Sequence, residues 1–269
     1  MELRFAPLFS GSSGNAIYVG TDKTNLLIDA GVSGARVIAA LKEIGVNPLD
    51  LDGILVTHEH DDHVKGVGIL ARKLHCPIYA TEGTWAGMES KIGKLSVNHQ
   101  SVIETERSFY IGDIEILPFA TPHDALESCG YSFSVGSARF SLATDIGCIR
   151  DGWMKAIAGS DSVLLEANYD PDMLTAGPYP FSLKKRILGK KGHLSNDDAG
   201  IAAAQLVQAG ARQIILGHLS KENNFPELAQ KTVELILRQN GIDPENDIDL
   251  RVALRDEVTG LFALNAEMY

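Results

Sequence analysis

Residues 58–63 read His-Glu-His-Asp-Asp-His, and one threonine separates them from the apolar run Ile54-Leu55-Val56. Four side chains able to hold a metal, His58, His60, Asp62 and His63, therefore fall within six residues, on a loop between a strand and a helix. Imidazole nitrogens and carboxylate oxygens in this mixture suit zinc, manganese or iron. Close spacing is what one loop needs if it is to offer several donors to one centre. Further residues of donor type follow apolar runs elsewhere in the chain. Three more apolar runs end in this way, at Phe119-Ala-Thr-Pro-His123, Leu142-Ala-Thr-Asp145 and Ile215-Leu-Gly-His218. His75 and His99 lie in a plain helix end and a plain loop and read as bystanders.

The rest of the chain has the pattern of an α/β protein. Short β-rich runs at 15–20, 25–29, 54–57 and 77–80 enclose a helical stripe over 33–44, with Ser33 as N-cap, and a helix over 62–74. The middle, 108–111, 114–119, 129–135 and 139–143, reads as strands joined by glycine turns. Helices at 151–158, 196–209 and 226–240 then alternate with strands at 162–166, 213–216 and 250–254. No repeat or linker divides the chain, and two sheets with outer helices are the simplest packing.

Composition narrows the class. The chain has 269 residues, 45% apolar and 22% charged, the profile of a globular enzyme rather than a disordered segment. Thirty-five acids against 24 lysines and arginines give a charge of −11, which argues against coating of nucleic acid or anionic membrane. An odd number of cysteines, Cys76, Cys129 and Cys148, suggests free thiols in a reducing compartment. No signal-peptide pattern and no run of 18 apolar residues is present, so a cytoplasmic protein with no membrane partner is expected.

These four donor-bearing segments, preceded by the strand ending at Asp29 and taken in this order, resemble the motifs of the metallo-β-lactamase superfamily, whose signature is His-x-His-x-Asp-His. The likeness runs from the strand ending at Asp29 to His218. It implies a single αβ/βα sandwich over 1–269, four layers with two mixed β-sheets and outer helices, binding two divalent metal ions (Zn, Mn or Fe) per chain. By that resemblance, His58, His60 and His123 hold one metal and Asp62, His63 and His218 the other. Asp145 would bridge them, and a bridging hydroxide would attack. Asp62 is thereby expected to be catalytic as well as a ligand, and Asp29 to orient a histidine ligand.

Which reaction such a centre runs depends on other residues. An aspartate at 145, where β-lactamases carry Cys or Ser, argues against an antibiotic hydrolase. Gly192-His193-Leu-Ser195-Asn, opening an alanine-rich helix, looks like the motif in nuclease branches whose histidine protonates the leaving oxygen. Glu166, in Val-Leu-Leu-Glu-Ala-Asn-Tyr, resembles the acid that orients it. An alkoxide leaving group of high pKa gives such an acid a task. Five cations lie within 184–191, and Lys184 and Lys185 among them are expected to meet phosphate. Together with Ser10-Gly-Ser12-Ser13-Gly-Asn15 and Leu-Gly-His-Leu-Ser-Lys221-Glu-Asn223-Asn224, these motifs are similar to the YycJ/VicX (WalJ) branch, encoded beside a bacterial two-component system. The resemblance implies a 5′-to-3′ exonuclease on DNA, with Ser12, Ser13, Asn15, Lys221 and Asn223 as further substrate contacts and nucleic-acid ends as partner. Only 73 residues separate Asp145 from His218. That leaves no room for an inserted clamp domain, so a short substrate or help from a second copy (a homodimer) is expected. The alternatives are a glyoxalase II-like thioester or small-ester hydrolase and a metal-binding regulator of a two-component system.

Overall fold

The computed structural model describes residues 1–266. The first half runs β1 (Glu2–Phe9), β2 (Ala16–Gly20), β3 (Asn25–Ile28), α1 (Gly34–Glu43), β4 (Gly53–Leu55), α2 (Asp61–Val64), α3 (Val67–Leu74), β5 (Ile78–Ala80), α4 (Glu82–Ile92) and β6 (Gln100–Val102). The second runs β7 (Phe109–Ile111), β8 (Ile114–Ala120), β9 (Cys129–Val135), β10 (Ala138–Ala143), α5 (Asp151–Ile157), β11 (Ser162–Glu166), α6 (Pro171–Ala176), α7 (Phe181–Ile187), α8 (Asn196–Gln208), β12 (Gln213–Gly217), α9 (Pro226–Gln239) and β13 (Asp249–Val252). The last strand, β14 (Phe262–Asn265), returns to pair antiparallel with β1. Two seven-stranded sheets result, ordered β14-β1-β2-β3-β4-β5-β6 and β13-β12-β11-β10-β9-β8-β7.

The four expected layers follow from side-chain alternation. In β2, Ile17 and Val19 face the other sheet while Ala16 and Tyr18 face the helices. In β11, Leu164 faces the inter-sheet core while Val163 and Leu165 face α5, α8 and α9. Strands buried on both faces read as unbroken apolar runs, as parallel strands covered by helices do. The sheets meet over Phe5 and Phe140, whose rings stack with centroids 4.0 Å apart.

Some expectations are corrected in detail. The helix expected over 62–74 is two helices, α2 and α3, because Gly66 backs onto the 30–32 loop. Its N–H donates to the Ala30 carbonyl, and a Cβ there would stand 2.5 Å from the Val32 oxygen. The first part of the basic stretch, through Arg186, lies in helix α7, which seats Leu183 and Ile187 against Tyr169 and Leu174, while Lys190 and Lys191 follow the helix. Ser33 does cap α1, accepting from the Arg36 N–H. Among the described residues, no helix is long and apolar enough to cross a membrane.

Candidate metal centre

The carboxyl ends of β3, β4, β8, β10, β11 and β12 all open at one end of the sandwich, delivering Asp29, His58, His123, Asp145, Glu166 and His218. Ligands in open α/β sheets gather at such ends. Three of these residues, Asp29, Asp145 and His218, have φ of 59°, 58° and 55°. Left-handed backbone costs a non-glycine residue about 1–2 kcal/mol, and such conformations cluster at functional sites.

The donors converge in two sets. The ligand atoms of His58, His60 and His123 lie within 4.8 Å of one another, and so do those of Asp62, His63 and His218. His60 Nδ1 is 3.0 Å from His58 Nε2 and 3.3 Å from His123 Nε2. Asp62 Oδ2 is 3.6 Å from Nε2 of both His63 and His218. Asp145 stands between the sets, one oxygen 3.4 Å from His63 Nε2 and the other 3.7 Å from His123 Nε2. His218 Nε2 and Asp145 Oδ2 are buried without a hydrogen-bond partner. Leaving buried polar atoms unpaired costs about 1–3 kcal/mol each, so a donor set of this chemistry fits divalent cations.

A second ring of hydrogen bonds aims these donors. Asp29 Oδ2 lies 2.8 Å from His63 Nδ1 and accepts from the Thr57 hydroxyl, while Asp29 Oδ1 accepts from the Thr57 N–H. Glu166, fully buried, places Oε1 2.8 Å from His193 Nδ1 and 2.9 Å from His218 Nδ1. Its other oxygen accepts from the backbone N–H groups of Ile146 and Leu194. His123 Nδ1 is 3.0 Å from the Gly192 carbonyl, which ties this donor to the loop carrying His193. Metal-binding histidines are usually fixed through their far nitrogen in this way.

Electrostatics divide the two sets. Burial opposes charge on His63, yet Asp145, Asp29 and Asp62 outweigh it and push the imidazole up to about 9. For His58, burial and the neighbouring histidines act together and push it well below the ordinary range, leaving a neutral ring with a free lone pair. Burial would raise the Glu166 carboxyl, but His193 and His218 hold it well below the usual carboxylate range.

The expected substrate contacts separate into two groups. Asn15 is buried, and its backbone N–H donates to the Asp62 carbonyl at 2.8 Å while its amide nitrogen lies 3.1 Å from His63 Nε2. It braces the ligand loop, as does Ser10, whose hydroxyl accepts from the His218 N–H. Gly31 makes that bracing fit: a Cβ there would stand 1.6 Å from the Asp62 carbonyl oxygen. Ser12, Ser13, Lys185 and Lys221 are exposed. Lys184 turns to the Thr175 carbonyl at 2.7 Å. Asn223 is fully buried beneath the 220–224 turn, and Asn224 is tied to the Ala167 carbonyl, so burial makes both internal struts and not surface contacts.

Sequence reasoning missed the cation of α7 that does reach the centre. Arg186 forks onto the Asp124 carboxylate, and Asp124 Oδ1 is 3.4 Å from His123 Nε2. Burial opposes ionisation of Asp124, but hydrogen bonding to Arg186 and the nearby charges bring its carboxyl down to about 2. An acid immediately following a ligand histidine was the available signal. Thr57 and Asn168, which holds the His218 carbonyl at 2.8 Å, carried no comparable pattern.

The geometry has its counterpart among known proteins. A profile of the beta-lactamase superfamily domain matches residues 24–219, a span from β3 to just past β12 that contains every donor described above. The chain belongs to the metallo-β-lactamase superfamily. Exodeoxyribonuclease YycJ of Bacillus anthracis is 43% identical over 241 residues, 90% of this chain and 91% of that protein. Exodeoxyribonuclease WalJ of Streptococcus pneumoniae (strain D39) is 43% identical over 232 residues, 86% of each. The metallo-β-lactamase fold protein YhfI of Bacillus subtilis superposes with a TM-score of 0.72 over 98% of this chain and all of that one, at 18% identity, a likeness of fold. This superfamily member is a hydrolase similar to the YycJ/WalJ branch.

Proposed function

We propose that the protein is a binuclear metal-dependent phosphodiesterase, an exonuclease that shortens DNA from the 5′ end. The observation that carries this reading is His193, held by the buried Glu166 beside both donor sets. Two extensive relatives named as exodeoxyribonucleases support the substrate class. Zinc, manganese or iron ions held by His58, His60 and His123 and by Asp62, His63 and His218, with Asp145 between, would neutralise phosphoryl charge and make water nucleophilic near neutral pH.

The chain's own residues do the rest. Glu166 accepts the hydrogen bond of the His193 Nδ1–H and stays ionised, so that a protonated His193 presents its Nε2 proton to the departing oxygen. His193 keeps 13% of its side chain exposed, so the substrate can reach it. Asp62, 27% exposed, is the more open of the two central carboxylates and can orient the attacking water. Cations of the α7 region and the loop after it sit beside an otherwise acidic surface, which favours local, salt-sensitive engagement of a strand end over coating of duplex.

The test is degradation of 5′- and 3′-labelled single- and double-stranded DNA and RNA with each metal in turn. Stepwise loss from the 5′ end of DNA is expected. Degradation confined to RNA, or starting at 3′ ends, would overturn the corresponding part of the assignment.

A further inference from the structure

Beside the His123 end of the centre lies a second concavity of about 260 Å³. Pro122, His123, Leu126, Glu127, Arg150 and Lys191 are among the residues that line it. Three chain segments meet here and are stitched together. The Gly147 N–H donates to the Pro122 carbonyl at 2.8 Å, and His123 Nδ1 is 3.0 Å from the Gly192 carbonyl. The segments are close enough that a Cβ on Gly147 would stand 2.5 Å from the Gly192 nitrogen. The concavity is thus part of the frame that fixes His123.

Its charges are unevenly used. Three acids nearby are hydrogen-bonded: Glu127 accepts from the Gly83 N–H, Glu59 from the Leu126 N–H, and Asp124 from Arg186. The two cations have no acid partner among the described residues. Arg150 makes one polar contact, Nε to the Cys148 sulfur at 3.4 Å, and Lys191 has no partner among the described residues. Two unpaired cations lining one concavity with Pro122 and Leu126, beside His123 in a chain of net charge −11, mark a place for an anion with a flat apolar part. The volume is smaller than that of drug-sized pockets and suits one nucleotide.

We propose that this concavity binds the nucleotide adjoining the scissile phosphate, with Arg150 and Lys191 on its phosphate and Pro122 and Leu126 against its base. The inference rests on the phosphodiesterase reading and deepens it, because it assigns the substrate's next unit a place and two specific cations.

The metal-loaded full chain tests it, with a labelled DNA oligonucleotide as substrate and thymidine monophosphate as inhibitor. In R150A/K191A, KM for the oligonucleotide rises at least tenfold and the inhibition constant of thymidine monophosphate rises in parallel. The dependence of log KM on log salt becomes shallower by about one to two units, as loss of two phosphate contacts requires. Metal content stays at the wild-type value, R150K/K191R recovers most of the affinity, and K231A, remote on α9, changes nothing. K191E, which leaves Arg150 in place, should raise KM by itself and serves should the double variant fold poorly. A wild-type KM and salt slope in R150A/K191A would overturn the subsite while leaving the nuclease reading intact. If the wild-type protein cleaves no phosphodiester with any metal, the functional reading itself falls and the subsite with it.

Discussion

His193 and His218 share one oxygen atom: their Nδ1 nitrogens lie 2.8 and 2.9 Å from Oε1 of Glu166. The residue proposed to deliver a proton and a residue proposed to hold a metal are therefore set by the same buried anion. Replacing Glu166 by Gln keeps the shape and removes the charge. Affinity for one of two metals should fall about 10- to 100-fold, the usual effect of removing a ligand's hydrogen-bond partner. Turnover should fall further than metal loss alone explains, and metal titration beside single-turnover kinetics separates the two.

His193→Ala removes the proposed proton carrier and none of the donors assigned above to the two metals. Metal content measured by mass spectrometry should be unchanged. Oligonucleotide cleavage should slow by about 10²- to 10⁴-fold, the usual range for general acid catalysis. A 4-nitrophenyl phosphodiester, whose leaving group departs without a proton, should slow much less. Equal slowing of both substrates would remove the acid role.

Asp145→Ala takes away the only carboxylate standing between the two donor sets among the described residues, and leaves His63 and His123 facing each other. At least one metal per chain should be lost and hydrolysis abolished. A variant that retains both metals and full activity would refute the bridging assignment.

Gly31→Ala tests how tightly the ligand loop is packed. Because the new methyl would collide with the backbone of Asp62, that backbone must move. Overpacking of this kind costs about 1–3 kcal/mol, so urea unfolding should show a lower midpoint. Metal affinity at the Asp62, His63 and His218 set should fall at the same time. Unchanged affinity with reduced stability would show that the loop adjusts without disturbing the donors.

The clustering of candidate donors was legible in the sequence because their residue types are chemically restricted and they sit in segments that follow apolar runs. The order of strands and helices was legible for a related reason: segments such as 129–135 and 196–209 carry strong periodic signals. β1 escaped notice because its polar alternation, Glu2-Leu3-Arg4-Phe5, ends after two repeats and gives way to a buried run containing Pro7. α4 carries Gly83 and Gly87 and no strong stripe, with only Thr84, Met88 and Ile92 inward. Charge counting identified the basic stretch but not which of its cations matters. Helix phase and the position of Asp124, both products of tertiary packing, select Arg186 over Lys184 and Lys185.

The left-handed backbone at Asp29, Asp145 and His218 has an evolutionary consequence. Glycine adopts that conformation without penalty, so at each of these positions the side chain proposed to serve the metal centre stands against a local gain in stability. Once a descendant of this fold no longer needs its metals, selection ceases to oppose that gain. Glycine or asparagine should then accumulate at 29, 145 and 218 sooner than at the right-handed or extended donor positions, making these three residues an early marker of lost activity.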